Sequence, residues 1–249
     1  MARREHPVRA VVLDIEGTTT PISFVYEVLF PFVRAHLRAY LTANAGSPAV
    51  HDALQELQRD HADERARREH PPEWDASDPQ RVATFVEWLM DRDRKAPGLK
   101  RLQGQIWARG FGDGVLRGEI FPDVAPALRQ WREAGIRVAI YSSGSEQAQR
   151  LIFGSTPAGD LTGLVCRFFD TAVGPKKEAD SYRRIAGELD CATNEMLFIS
   201  DVVAELDAAR AAGCDVALAV RPGNAQQPDN AYPVIRTFDE IVLFSADAG

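Results

Sequence analysis

VRAVVLDIEGTTTP, residues 8–21, joins a short apolar run directly to two acids, Asp14 and Glu16. Alternation along an extended strand would place both carboxylates on the same side of the chain if the extended geometry continued that far. Two like charges at one spot cost free energy unless a cation neutralises them or one of them stays protonated. The segment therefore predicts a buried strand that ends in a charged site.

Four later segments repeat the apolar run: IRVAIYSS (136–143), LVCRFFD (164–170), EMLFIS (195–200) and DVALAV (215–220). Segments with helical periodicity, such as DVAPALRQWREAG and EADSYRRIAGELD, lie between them. Strands that alternate with helices form a mostly parallel sheet with both faces covered. The predicted fold class is therefore α/β.

Residues 15–135 separate the first apolar run from the second, although one crossover helix would be enough to join them. This segment is predicted to form helices at 23–44, about 49–69, about 79–94 and 98–111, with NAGSP and EHPPEWDASDP as breaks. Pro31 should kink or end the first of these helices. We therefore predict a helical insertion between the first strand and the rest of the sheet.

Composition excludes several classes of protein. The net charge of -7 argues against general affinity for nucleic acid, and no apolar segment is long enough to cross a bilayer. The N-terminal MARREHPVRA lacks the apolar region of a signal peptide, so we expect a cytoplasmic protein. We also expect a monomer. The three cysteines show no C-x-x-C spacing, which predicts reduced thiols rather than a disulfide or zinc site.

Polar residues stand at or near the exits of four predicted strands, where open parallel sheets bind their ligands. They are Asp14 and Glu16 after the first, Ser142 and Ser143 after the second, Lys176 and Lys177 after the third, and Asp201 and Glu205 after the fourth. Oxygen ligands from Asp14, Glu16 and Asp201 suit Mg²⁺, and one carboxylate can attack phosphorus. Serine hydroxyls, helix amides and a lysine suit phosphate oxygens. The pattern indicates phosphoryl transfer.

The motifs DIEGT, YSSGS, GPKKE and SDVVAE resemble, in order, the four motifs of the haloacid dehalogenase superfamily. The resemblance implies a Rossmann-like parallel sheet with an inserted α-helical cap, placed here at residues 21–118, and a core formed by 1–20 and 119–249. It also implies that Asp14 is the nucleophile and that Ser142 and Ser143 bind phosphate. Lys176 would contact both the nucleophile and the phosphate. Asp14, Glu16 and Asp201 would bind one Mg²⁺ per subunit.

A narrower resemblance rests on LDIEGTTTPISFV, YSSGSEQAQRLIFG, FFDTAVGPKKEADSYRRIA and VRPGNA. These segments look like the bifunctional enolase-phosphatases of methionine salvage, also called acireductone synthases. The resemblance implies a small phosphorylated diketone as substrate and a catalytic set of Asp14, Glu16 and Lys176. Glu16 stands where typical phosphatases of the superfamily have Asp.

Several alternatives remain at this point. Ser142 and Ser143 could cap the following helix as well as bind phosphate, and Lys177 is expected to face solvent. Glu205, one helical turn after Asp201, either orients Lys176 or faces solvent. For the whole chain, the alternatives are a plain phosphatase without an enolase step and a non-catalytic binding protein, because fold alone does not determine function.

Overall fold

The computed structural model describes residues 7–243, and its central element is a parallel β-sheet of six strands. The strands are β1 (Ala10–Leu13), β2 (Arg137–Tyr141), β3 (Arg167–Phe169), β4 (Met196–Ser200), β5 (Asp215–Ala219) and β6 (Val234–Ile235). Their order across the sheet is β3-β2-β1-β4-β5-β6. This is the doubly wound Rossmann order, so the predicted α/β class and Rossmann-like sheet are confirmed.

The central position of β1 follows from its composition. All four of its residues are apolar and completely buried, as expected of a strand covered on both faces. Leu13 lies opposite Ile140 of β2 and Ile199 of β4. The carboxyl ends of these three strands therefore meet at one edge of the sheet, at the point where the strand order changes direction. Ligands of open α/β sheets bind at such a point.

The described chain divides into two compact units, residues 7–25 with 117–243 and Tyr26–Leu116. The second unit contains four α-helices: α1 (Phe30–Ala43), α2 (Pro48–Ala66), α3 (Pro79–Asp91) and α4 (Pro97–Gly112). A π-helical turn, Phe24–Leu29, precedes α1, and Pro31 lies in the first turn of α1. The helical backbone continues from the π-helical turn into α1, with Leu29 in the right-handed helical region, so the chain does not end its helix at Pro31. Pro31 stands instead at the change from π- to α-helical winding.

Four helices belong to the sheet unit: α5 (Val124–Glu133), α6 (Glu146–Gly154), α7 (Ala179–Glu188) and α8 (Val203–Ala211). Three aromatic residues, Tyr141, Tyr182 and Phe198, pack together in the core between the sheet and α7. The ring centroids of Tyr182 and Phe198 are 4.9 Å apart in an edge-to-face arrangement. This aromatic cluster lies under the polar strand exits described below.

The sequence-based assignment of strands differs from the structure in two places. It missed β6, whose two residues are too few to show an alternating pattern. It also began the third strand at residue 164, where the structure has a 3₁₀ turn, Thr162–Leu164, and starts β3 at Arg167. Within residues 7–243, no helix is both long and apolar enough to cross a membrane.

Candidate active site

The chain turns sharply after β1, and this turn (residues 14–20) is called the β1 loop below. The N–H groups of Thr18, Thr19 and Thr20 all donate to the carbonyl oxygen of Ile15, at 3.1, 3.0 and 2.9 Å. The extended geometry therefore ends at Leu13, and strand alternation does not apply to Glu16. The carboxylates of Asp14 and Glu16 are therefore not placed on the same side of the chain by strand geometry. Asp14 is buried, whereas Glu16 is partly exposed and forms a backbone bridge with Thr20.

Asp14 is held at both of its carboxylate oxygens. Its Oδ1 accepts a hydrogen bond from the backbone N–H of Ile15 at 2.8 Å and lies 2.6 Å from the Nζ of Lys176. Its Oδ2 is 3.3 Å from the hydroxyl of Ser200. These contacts fix the orientation of the carboxylate at the exit of β1, which is what a nucleophile needs before it attacks.

Lys176 is buried between two carboxylates. Its Nζ lies 2.6 Å from Asp14 Oδ1 and 2.6 Å from Glu205 Oε2. Burial favours the neutral amine, but the charges of Asp14 and Glu205 outweigh it and raise the pKa of Lys176 above its ordinary value. Glu205 is therefore buried against Lys176 and does not face solvent. Lys177, the adjacent residue, is exposed.

The backbone that carries Lys176 is fixed by two buried tyrosines. The hydroxyl of Tyr141 donates to the carbonyl of Gly174 at 2.8 Å, and the hydroxyl of Tyr182 donates to the carbonyl of Lys176 at 2.6 Å. Gly174 has a φ of 141°, and a Cβ there would lie 2.3 Å from Ser181 Oγ. Only glycine fits this position, so the tight approach of the segment to α7 depends on it.

Asp201 follows β4 directly and is also buried. Burial, together with the charges of Asp14 and Glu205, raises the pKa of Asp201 to about 7. Burial and the charge of Asp14 likewise raise the pKa of Glu205 to about 7. The cluster of Asp14, Lys176, Asp201 and Glu205 thus has three carboxyl groups and one amine, an arrangement that favours binding of a further positive charge.

Ser200 is a site residue that the sequence analysis missed. It is completely buried, and its hydroxyl lies 2.9 Å from Glu205 Oε2 and 3.3 Å from Asp14 Oδ2. One hydroxyl hydrogen can bond to only one of these carboxylates at a time. The same oxygen accepts a hydrogen bond from the N–H of Val202. The signal in the sequence was a serine at the end of an otherwise apolar strand, immediately before Asp201.

Ser142 and Ser143 stand at the exit of β2, beside β1 in the sheet. Ser142 is buried, and its Oγ accepts a hydrogen bond from Gly144 N at 3.1 Å, while Ser143 is half-buried. Helix α6 is capped by Ser145, whose Oγ accepts from the N–H of Ala148. The alternative that Ser142 or Ser143 caps this helix is therefore wrong.

The carboxylates at the strand exits fit Mg²⁺ as a pair and not as a closed set of ligands. Among residues 7–243, no group of three or more acidic, histidine or cysteine side chains is placed so that it could hold a metal by itself. Mg²⁺ usually keeps several waters and is bound through one or two carboxylates plus substrate phosphate, so it does not need such a group. Asp14 and Asp201, two buried acids in a cluster with excess negative charge, fit this requirement.

Comparisons with known proteins agree with this geometry. The family model of haloacid dehalogenase-like hydrolases matches residues 8–213. Enolase-phosphatase E1 of Synechococcus elongatus is 44% identical over 94% of this chain and 98% of its own length. Enolase-phosphatase E1 of Sorangium cellulosum is 46% identical over 94% of this chain and 97% of its own length.

Among solved structures, the UTR4 protein of Saccharomyces cerevisiae matches with a TM-score of 0.77 and 32% identity. The match covers 94% of this chain and 100% of the yeast chain. Sequence motifs, sheet topology and relatives of nearly equal length thus lead to the same assignment. The chain belongs to the haloacid dehalogenase-like hydrolases and, among them, to the enolase-phosphatase E1 family.

Proposed function

We propose that this protein is a Mg²⁺-dependent enolase-phosphatase of methionine salvage. It converts 2,3-diketo-5-methylthiopentyl-1-phosphate into acireductone (1,2-dihydroxy-3-keto-5-methylthiopentene) and phosphate. The observation that carries the proposal is the buried ion-pair cluster in which Lys176 joins Asp14 to Glu205, beside Asp201. The relatives named enolase-phosphatase support the enolase step, which the cluster alone does not specify.

Asp14 is the proposed nucleophile. Its carboxylate attacks phosphorus, the bond from phosphorus to the substrate oxygen breaks, and the enol leaves with that oxygen, which takes up a proton to give the hydroxyl of acireductone. Water then hydrolyses the aspartyl-phosphate and releases inorganic phosphate, which regenerates Asp14. Lys176 stays protonated, because its pKa is raised, and its positive charge offsets the negative charge that gathers around the transferred phosphoryl group.

Asp14, Glu16 and Asp201 are the proposed ligands of one Mg²⁺ per subunit. When bound, the ion supplies Lewis-acid polarisation of the substrate and neutralises phosphate charge. Glu16 differs from the two aspartates in being partly exposed. We propose that it also assists proton transfer during enolisation.

Ser142 and Ser143, with the backbone N–H groups of the first turn of α6, are the proposed phosphate contacts. The helical unit, Tyr26–Leu116, is the proposed cap, for which the sequence analysis gave the bounds 21–118. We also propose that the enzyme is a cytoplasmic monomer. Light scattering coupled to size-exclusion chromatography tests the oligomeric state.

The test follows enol formation by ultraviolet absorbance and phosphate release on the same sample of diketone phosphate, with Mg²⁺ and with excess chelator. Enol formation followed by phosphate release, both stopped by chelator, is the expected result. Phosphate release without an enol signal would identify a plain phosphatase. Absence of phosphate release from the diketone phosphate and from every other phosphorylated substrate, in protein shown to be folded by circular dichroism, would support a binding protein.

A further inference from the structure

The segment after β5, Arg221–Asn224, contacts the β1 loop through its side chains. Arg221 Nε donates to the carbonyl of Thr18 at 3.1 Å. Asn224 Nδ2 donates to the carbonyl of Gly17 at 2.9 Å and to the carbonyl of Ala219 at 3.2 Å. The consecutive carbonyls of Gly17 and Thr18, in the β1 loop, are therefore both hydrogen-bonded by side chains that follow β5.

Arg221 is itself rigidly fixed. It is 5% exposed, and its Nη1 and Nη2 donate to Asp123 Oδ1 at 3.1 Å and Asp123 Oδ2 at 2.7 Å. Its guanidinium carbon lies 4.7 Å from the ring centroids of both Phe121 and Phe238. A planar guanidinium that pairs with a carboxylate at both ends and stacks on aromatic rings has little freedom to move. It is a firm anchor for the Thr18 carbonyl.

Asn224 lies closer to the proposed metal ligands. Gly17 has a φ of 70°, and a Cβ on it would lie 2.4 Å from Asp201 Oδ2 and 2.9 Å from Asn224 Oδ1. Gly17 is therefore in close contact with both the Asp201 carboxylate and the Asn224 amide. Removal of the Asn224 amide would remove the hydrogen bond that keeps the β1 loop at this distance from Asp201.

The side-chain oxygen of Asn224, Oδ1, has no hydrogen-bond partner among the described residues. Asn224 Oδ1 is buried and accepts no hydrogen bond there, while both acceptors of Nδ2 are carbonyl oxygens. If Oδ1 and Nδ2 of Asn224 exchanged places, an oxygen would face two carbonyl oxygens. The carbonyls of Gly17 and Ala219 therefore fix the orientation of the Asn224 amide. A buried acceptor without a donor costs free energy unless a ligand or water supplies one. A water on a hydrated cation would be such a donor.

We propose that Asn224 is a positioning residue of the enolase-phosphatase reaction. It holds the Gly17 carbonyl, so that the β1 loop and Asp201 keep the separation that one hydrated Mg²⁺ requires. Its Oδ1 accepts a hydrogen bond from a water of that ion. The proposal rests on the proposed function, because it assumes the same Mg²⁺ site.

The experiment compares Asn224→Ala and Asn224→Leu with the parent protein. Leucine keeps the branching of asparagine at Cγ and still fills the space, although it is larger, and it has no hydrogen-bonding groups. Asn230→Ala is the matched control, because Asn230 lies in the same segment after β5, is exposed, and bonds only to its own loop at Pro228 and Tyr232. Mg²⁺ affinity is measured by calorimetric titration without substrate, and kcat and KM are measured at saturating Mg²⁺.

Both Asn224 variants should bind Mg²⁺ at least about tenfold more weakly, as is typical when an outer-shell partner of a metal site is removed. Their kcat should fall about tenfold or more, with the substrate KM within about twofold of the parent. Asn230→Ala should match the parent. Parent-like Mg²⁺ affinity in Asn224→Leu would overturn the proposal, because it would show that the side chain only fills space.

Two further outcomes separate this proposal from the proposed function. If the parent binds Mg²⁺ but neither enolises nor dephosphorylates the diketone phosphate, the proposed function fails, and the Mg²⁺ titrations still decide the role of Asn224. If the parent itself shows no Mg²⁺ binding, the positioning role is overturned. Melting temperatures without Mg²⁺ identify any variant that has lost its fold, and the comparison then rests on the other Asn224 variant, for which parent-like Mg²⁺ affinity would likewise overturn the proposal.

Discussion

Glu205 Oε2 lies 2.6 Å from Lys176 Nζ, so the buried lysine is shared between Glu205 and the nucleophile candidate Asp14. One carboxylate is enough to balance the charge of a buried ammonium, so the second carboxylate serves mainly to hold the lysine in position. The contact also couples helix α8, which carries Glu205, to the loop before α7, which carries Lys176. Glu205 therefore orients a residue of the site without being a proposed ligand of metal or phosphate.

The first prediction concerns Glu205→Gln, which keeps the shape of the side chain but removes its charge. Lys176 loses one of its two ionic partners and is held less firmly beside Asp14, so kcat should fall about tenfold or more, with a small change in melting temperature. Steady-state kinetics measure this. Glu188→Gln is the control, because Glu188 is half-exposed and lies in α7, 3.8 Å from Arg167. Equal rates in both variants would show that Glu205 has only a structural role.

The second prediction compares adjacent lysines. Lys176→Ala should lower the rate of phosphate release by about a hundredfold or more, as expected when a positive charge that stabilises a transition state is removed. Lys177→Ala should leave the rate nearly unchanged, because its side chain is exposed. Phosphate release under single-turnover conditions measures both. A larger loss in the Lys177 variant would mean that the motif has been placed one residue too early.

Asp14→Asn is the subject of the third prediction. The amide oxygen can still accept hydrogen bonds from Ile15 N and Lys176 Nζ, so the variant should fold, but an amide is a poor nucleophile. Turnover should fall about a thousandfold or more, as is usual when a nucleophile is removed. The control is Asp229→Asn, which changes an exposed acid. Substantial turnover by folded Asp14→Asn would exclude Asp14 as the nucleophile.

The fourth prediction concerns pH and Mg²⁺. The folded-state pKa values of Asp201 and Glu205, both about 7, lie above the ordinary carboxyl range. Between about pH 4 and pH 7 the folded state therefore binds more protons than the unfolded state, and the metal-free protein should lose stability as the pH rises through this window.

Mg²⁺ competes with these protons, so it should raise the melting temperature more at pH 8 than at pH 5. Differential scanning fluorimetry with Mg²⁺ and with chelator measures both trends. A metal-induced shift that is equal at the two pH values would contradict the prediction. The same scans on Asp201→Asn provide the control, because that variant lacks one of the two titrating carboxyls and a proposed ligand.

Much of the site was predictable because its residues lie at strand exits. The apolar runs identified five of the six strands, and the order of the motifs predicted that Asp14, Lys176 and Asp201 would meet at one edge. The family prediction was confirmed by relatives that match nearly the whole chain. The division of the site residues into ligands, nucleophile and phosphate contacts stays a prediction.

Other parts could not be predicted from the sequence, because they depend on contacts between distant segments. Ser200 is placed against Asp14 only by the pairing of β4 with β1, and Asn224 reaches Gly17 only because β5 lies next to β4. The turn after Leu13 also depends on three N–H groups that converge on one carbonyl, which a strand pattern does not reveal.

The sequence by itself thus determined the alternation of strands and helices and the identity of the acids and lysine at the strand exits, because these follow from local apolar patterns and from chain order. The tertiary structure alone decided which acid pairs with Lys176, which hydroxyl supports Asp14, and what holds the β1 loop. Hydrogen bonds and ion pairs depend on distances of a few ångströms. Only the packed sheet brings residues as far apart in the chain as Gly17 and Asn224 within that range.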